Sequence, residues 1–275
     1  MSLSPTAPVP AALPDPGLAT AAGPVPGLVP AVDPVPDTAL QARPLPAVFT
    51  GRVLVTGGAS GLGAAVSAAV AEAGGSVVVL DRNISAVTGA KAVQVDVADR
   101  AGVEAAVQEA VQILGGLDAV VTAAGIDRCG RLEDVAAEEW EKVIGVNLLG
   151  TVSVVRAALP YLAASHGRVI TVASTLGLKA VPDATAYCAS KFGVIGFSRA
   201  LAAETAGRVG VTTMIPGGMK TRFFDDRTEQ YRPQDDSRLN DPRRVADAIL
   251  FALTQPAGCE VREMLICHEE EDSWP

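Results

Sequence analysis

The chain has 275 residues, 49% hydrophobic and only 4% aromatic, with 27 Gly and 19 Pro. That supplies the aliphatic core of one or two domains and excludes a wholly disordered chain, a collagen and a small disulfide scaffold. A formal net charge of −9 argues against duplex nucleic acid and anionic membranes as partners, and four scattered cysteines without a CxxC pair, beside two histidines, point to reduced thiols in a cytoplasm and to no metal site.

Residues 1–47 are a Pro/Ala-rich extension, with 12 of the 19 prolines before residue 47. Proline lacks an amide donor and steers its predecessor away from the helical region, so an extended or disordered tail is expected. A secretory leader would need a basic start and an unbroken apolar run, and both are missing. A tail that docks a partner protein is the other alternative. From residue 48 onward, β-branched runs alternate with Ala-rich helical stretches. Strands are predicted at Val53–Thr56, Val77–Leu80, Ala92–Val95, Ala119–Thr122, Val169–Val172, Val211–Ile215 and Met264–Ile266. Helices are predicted at Leu62–Ala73, Asp99–Leu114, Glu133–Ala163, Thr185–Ala206 and Pro242–Leu253, the last capped by Asp241. Continuous apolar strands separated by helices predict an α/β fold: a Rossmann-like doubly wound parallel sheet of about seven strands, with helices on both faces. Asn83–Ala90 is too short for a full crossover helix. Arg156 and Pro160 interrupt the best candidate for a membrane span, so none is expected. The expected division is 1–47 extension, 48–268 domain and 269–275 acidic tail.

Thr56-Gly57-Gly58-Ala59-Ser60-Gly61-Leu62-Gly63 follows the first strand and opens a helix. Glycines there let the backbone turn sharply and approach a pyrophosphate, which the free amides of the helix start then bind. The second strand ends in Asp81, 18 residues after Gly63. A carboxylate at that place accepts ribose hydroxyls and repels a 2′-phosphate, at a cost of about 4 kcal/mol per unit pair at ~4 Å. NAD is therefore favoured over NADP, although Arg82 next door could pair with a phosphate. Tyr187 and Lys191 are spaced four apart at the start of a predicted helix, so both project from one face. A tyrosine acting as base near neutrality must fall about three units from its usual 10, and cations beside it supply that shift.

The ordered set of Thr56–Gly63 as TGxxxGxG, Ser174 thirteen residues before Tyr187, and Tyr187–Lys191 as YxxxK resembles the short-chain dehydrogenase/reductase family over about residues 48–267. The resemblance implies a catalytic set of Asn147, Ser174, Tyr187 and Lys191. Tyr187 would exchange the proton with the substrate oxygen and Ser174 would hydrogen-bond it. Lys191 would hold the nicotinamide ribose and depress the tyrosine pKa, and Asn147 would kink its helix and hold a relay water. It also implies cofactor contacts at Gly57, Ser60, Gly61, Leu62, Gly63, Asp81, Arg82, Asp96, Val97, Ala123, Ala124, Gly125, Pro216, Gly217, Met219 and Thr221. Asp96-Val97 would contact adenine, and Pro216–Thr221 matches PGxxxT beside the carboxamide. Two departures stand out: Thr122-Ala123-Ala124-Gly125 replaces Asn-Asn-Ala-Gly, which removes bracing side chains, and Ala173 stands where serine is frequent.

Substrate is expected under a lid at about Arg222–Asn240, with Phe223 and Phe224 as pocket walls and Leu176, Val181 and Cys129 as further lining. Asp225, Asp226, Arg227, Arg232, Asp235, Asp236 and Arg238 read as a solvated loop, His166 and His268 as surface groups, and Glu269–Asp272 as a solvated end near a possible docking residue, Trp274. The leading function is an NAD-dependent oxidoreductase interconverting a secondary alcohol, or carbinol, and a carbonyl of a small or specialised metabolite. The alternatives are an NADPH-dependent ketoreductase of acyl or polyketide type, and a non-catalytic dinucleotide-binding scaffold or sensor. The resemblance implies a homodimer or homotetramer through Asn147–Ala163 and Thr185–Ala206.

Overall fold

A computed structural model describes residues 49–271 and 273. The expectations for the Pro/Ala-rich extension and for Trp274 lie outside these residues. Seven strands, β1 (Arg52–Thr56), β2 (Ser76–Asp81), β3 (Lys91–Gln94), β4 (Ala119–Thr122), β5 (Arg168–Val172), β6 (Gly210–Pro216) and β7 (Glu263–Ile266), form one parallel sheet in the order β3-β2-β1-β4-β5-β6-β7. The helices are α1 (Gly61–Glu72), α2 (Arg100–Leu114), α3 (Ala137–Ile144), α4 (Thr151–Ser165), α5 (Thr185–Glu204) and α6 (Pro242–Leu253).

Alternation along each strand divides the core between the two faces. Leu54, Val120 and Val169 pack with Val103, Val107, Val154 and Leu162 of α2 and α4. Their neighbours Val53, Val55, Val121 and Ile170 pack with Val66, Val70, Val245 and Ile249 of α1 and α6. Period-two side-chain direction in strands buried on both faces explains the unbroken apolar runs in the sequence. The expected Rossmann-like doubly wound fold is borne out. Strand order reverses between β1 and β4, and in such sheets the ligand crevice opens there, beyond the strand C-termini.

Local signals account for several boundaries. Asp241 Oδ1 accepts from the Arg243 N–H at 2.8 Å and Pro242 opens α6. The β2–β3 connection is abbreviated to a single 3₁₀ turn, Ile84–Ala86. The predicted third strand, Ala92–Val95, lies one residue earlier. The expected helix Glu133–Ala163 starts late, at Ala137, because Asp134 and Val135 donate to the Arg131 carbonyl in a separate turn. Helix α3 then passes through a π-helical turn, Gly145–Gly150, into α4, which ends at His166 in the left-handed conformation. The combined helix Ala137–Ser165 is long and apolar enough to cross a membrane, but Val143, Val146, Val154, Val155, Ala158 and Leu162 place it in the core.

At the base of the crevice strands, Arg52 Nε and Nη2 hold the two oxygens of Asp118 at 2.8 and 2.7 Å, and Nη1 donates to the Gly115 carbonyl. The hydrogen bond from Arg52 keeps the Asp118 carboxyl below its usual range. A depressed carboxylate stabilises the fold above its unfolded pKa, and this contribution disappears as pH falls through the folded value. Both side chains are one-third exposed, so solvent limits the effect. Arg52→Met is expected to cost about 1 kcal/mol at neutral pH, with the difference from wild type shrinking below about pH 4. Urea melts across pH test this, and a difference that stays constant into acid would contradict it.

Candidate active site

The turn after β1 is shaped by close approach. Gly57 has φ 69°, and a Cβ on it would sit 2.7 Å from the Ala124 Cα; a Cβ on Gly63 would meet the Gly57 carbonyl. The Ala124 N–H donates to Thr56 Oγ1 at 3.2 Å, tying β4 to β1 where asparagine side chains are missing. The Asp81 carboxylate is fixed at the end of β2, accepting from the Ala59 and Asn83 N–H groups at 3.0 Å each. Arg82 beside it is exposed.

A cavity of about 760 Å³ runs from this turn across the strand ends. Gly57, Ser60, Gly61 and Leu62 border one end, with Asp81, Arg82, Asp96 and Val97 from the next strand ends and Ala123, Ala124 and Gly125 from β4. Pro216, Gly217, Met219 and Thr221 line it from the loop after β6, and Ser174, Leu176, Tyr187, Lys191, Phe223 and Phe224 line the remainder. The glycine cradle, the fixed carboxylate and this volume fit a dinucleotide. Four expected residues do not border the cavity. Gly63 lies under the turn; Asn147 is buried behind the Gly125 loop. Val181 packs behind Tyr187 with Ala184 and Cys188. Cys129 donates its thiol to Asp127 at 3.2 Å, and burial pushes its pKa up to about 12.

Tyr187 and Lys191 occupy the first turns of α5, both buried. Ser174, two residues past β5, is held by the Leu176 N–H at 3.1 Å and draws the Tyr187 phenol pKa down. Lys191 Nζ donates to the Val172 carbonyl at 2.9 Å and lies 5.5 Å from the Tyr187 ring centroid. Burial pulls the Lys191 pKa down to about 8, against the pull of Asp127. The expected depression of the tyrosine is not what the chain alone produces. Burial pushes the phenol above its usual value, Ser174 draws it back, and Asp127 and Arg227 act in opposite senses. The physical reason is that Lys191 donates its hydrogen bond to Val172 and not to the phenol, which leaves desolvation dominant.

Asn147 sits in the π-helical turn. Its Oδ1 accepts from the Ile126 N–H at 2.8 Å, and its Nδ2 donates to the Ile126 carbonyl and to Ser190 Oγ. The side chain thus clamps the loop after β4 to α5. Residues 51–232 match the short chain dehydrogenase family over about two-thirds of the chain.

The chain belongs to that family. An uncharacterized oxidoreductase of Staphylococcus aureus (strain MW2) is 35% identical over 224 residues, covering 78% of this chain and 95% of that protein. The ligand-free aldohexose dehydrogenase of Thermoplasma acidophilum shares the fold with TM-score 0.73 at 22% identity, covering 81% of this chain and 94% of the other. The alcohol dehydrogenase of the archaeon Thermococcus sibiricus, complexed with 5-hydroxy-NADP, gives 0.73 at 23%, covering 80% and 97%. As a short chain dehydrogenase the protein is an NAD(P)-dependent oxidoreductase acting on small alcohols or carbonyls.

Three cavity residues of this short chain dehydrogenase differ from the sequence expectations: Asp127 is not singled out there, and Arg227 and Glu271 are read there as solvated. Buried Asp127 and partly buried Arg227 form an ion pair at 2.6 Å, so Arg227 is engaged with the core and is not a freely solvated loop residue. Glu271 Oε2 accepts from the Gly218 N–H at 3.0 Å, and Ser273 Oγ lies 2.6 Å from both Glu271 Oε1 and Thr175 Oγ1. Glu271 therefore borders the cavity and is not part of a solvated end. The one local hint was the place of Asp127, two residues past Gly125 where the crevice opens. For Glu271 the sequence carries only an acidic run.

Proposed function

We propose that this short chain dehydrogenase interconverts a secondary alcohol or carbinol with its carbonyl using NAD(H), with Tyr187 as general acid/base. What carries the reading is the placement of Ser174, Tyr187 and buried Lys191 together on the same cavity as the glycine turn. The turn at Gly57–Leu62, Asp81, Asp96-Val97, Ala123–Gly125 and Pro216–Thr221 would hold the dinucleotide, which supplies or accepts the hydride when bound. The chain handles the proton. Tyr187 takes it from the alcohol oxygen during oxidation and returns it during reduction, while Ser174 orients the same oxygen. Lys191 holds the nicotinamide ribose, and Asn147 keeps the Gly125–Asp127 loop against α5. In this reading residues 48–268 form the catalytic domain, the enzyme is cytoplasmic, and α4 and α5 pair copies into a homodimer or homotetramer. The exposed side chains of Tyr161 and Phe192 on those helices support the last point.

A panel of secondary alcohols and ketones, followed by dinucleotide absorbance, tests the assignment. No turnover on any member by a protein that binds NADH normally would favour the non-catalytic sensor instead. Cofactor choice rests on Asp81, whose carboxylate is fixed by two backbone donors at the cavity edge. Wild type is expected to bind NADH at least about tenfold more tightly than NADPH, and Asp81→Asn to narrow that gap by removing the charge. Tighter NADPH binding by wild type would move the assignment to the ketoreductase alternative, with Arg82 on the phosphate.

A further inference from the structure

The ion pair between Asp127 and Arg227 ties the loop after β4 to the segment after β6, beside the Tyr187 side chain. Asp127 follows β4 and Arg227 lies in the segment after β6, and their side chains are 2% and 17% exposed. Asp127 Oδ1 also accepts from the Arg128 N–H at 2.7 Å. Arg227 Nη1 donates to the Tyr231 carbonyl at 3.2 Å, and the Arg227 carbonyl accepts from Arg232 Nε at 2.8 Å. Its guanidinium lies 4.6 Å from the Phe224 ring centroid and 5.6 Å from that of Phe223. Phe223 in turn stands 5.7 Å from the Tyr187 ring. One guanidinium thus fixes both phenylalanines and the lid backbone against the β4 loop, and Asp127, Phe223, Phe224 and Arg227 all border the cavity.

We propose that the Asp127–Arg227 pair is a specificity-determining latch that holds Phe223 as an apolar wall over Tyr187, restricting the substrate to secondary alcohols or ketones with an uncharged, apolar substituent. The proposal rests on the reading of Tyr187 as the proton-exchanging group. Leu176 and Phe223 pack against Tyr187 and border the cavity, so a substituent passing the reacting carbon meets hydrocarbon. Beyond it the two charges cancel each other. A carboxylate or ammonium on the substrate that reached the pair would lose hydration there and meet two charges already engaged with each other. Removing one partner leaves the other buried and available to a substrate of opposite sign, so selectivity resides in the intact pair.

Three secondary alcohols of equal length, ending in methyl, carboxylate or ammonium, probe this with the full-length enzyme. Wild type is expected to prefer the methyl compound. Asp127→Asn should raise kcat/KM for the carboxylate relative to the methyl compound by about tenfold or more, and Arg227→Gln should do the same for the ammonium compound. The double variant D127N/R227Q should return to the wild-type order, because no uncompensated charge remains. Unchanged ratios in both single variants overturn the proposal. Limited trypsin digestion of the same proteins without substrate reads the latch independently of turnover. Cleavage between Arg222 and Arg238 should quicken about tenfold in Asp127→Asn and less in Arg227→Lys, which keeps the cation. An unaltered cleavage rate in Asp127→Asn overturns the latch. If wild type turns over none of the three alcohols, the catalytic reading fails, while digestion still decides whether the pair holds the lid.

Discussion

Tyr187→Phe is expected to lower kcat by about 10²- to 10⁴-fold, the range in which a positioned acid–base group contributes, while the Kd for NADH stays within about twofold. The ring itself packs against Phe223 and beneath Lys191, and phenylalanine keeps that packing. The substitution removes only the hydroxyl, which shares the cavity with Ser174. In the chain alone, burial sets the phenol above its usual pKa, whereas Lys191 is pulled to about 8. The lysine is therefore partly neutral in mild base, and the pair moves its proton near neutrality only with a further positive charge close by. At saturating NAD, the acidic limb of kcat/KM for the alcohol should then reach lower pH than the phenol of the cofactor-free enzyme would allow. Stopped-flow traces of wild type and Tyr187→Phe, with NADH fluorescence for binding, check both parts. Full turnover by Tyr187→Phe would remove the assignment.

Gly57→Ala is expected to weaken dinucleotide binding by about a hundredfold or more while the protein remains folded, with a stability loss of about 1–2 kcal/mol from the left-handed backbone. Gly57 holds φ 69°, and the added Cβ would press on the Ala124 Cα and N, which are main-chain atoms of a strand end and cannot rotate away. Relief requires the turn and the Ala123–Gly125 segment to part, and those two surfaces line the cavity. Gly58→Ala is the control for crowding: its Cβ would come 2.7 Å from the buried Val79 side chain, at ordinary φ and away from Ala124. Equal losses in both variants would show that general crowding, and not the approach to Ala124, sets the effect.

The parts of this protein legible in its sequence are those encoded over a few residues. Ala119–Thr122 and Pro242–Leu253 are located to the residue, because an apolar run and an Asp-Pro cap signal are local. The spacing of Gly57, Gly61 and Gly63, and of Tyr187 with Lys191, is likewise local. The late start at Ala137 was hidden because Glu133 runs into the helix-forming Ala136-Ala137-Glu138-Glu139, and only the hydrogen bonds to the Arg131 carbonyl disclose a turn. Asp127 and Arg227 are 100 residues apart, and Glu271 lies 53 residues from Gly218. Such pairings depend on how the sheet brings two loops together, and an isolated charge in a charged stretch carries no mark of its partner. The raised phenol pKa of the chain alone was hidden for the same reason: enclosure by Leu176, Val181 and Phe223 is a property of packing between separate loops.

The strand order has a consequence for biogenesis. β1 can pair with β2 as soon as residue 81 is available, but its other neighbour, β4, ends at residue 122. A nascent chain leaving the ribosome would carry the Gly57 turn with one flank bare until then, and Arg52 would wait 66 residues for Asp118. Such distant pairing slows folding and leaves an open strand edge in the interim. Synthesis stalled between those points should yield a species vulnerable to chaperone capture and unable to retain nucleotide.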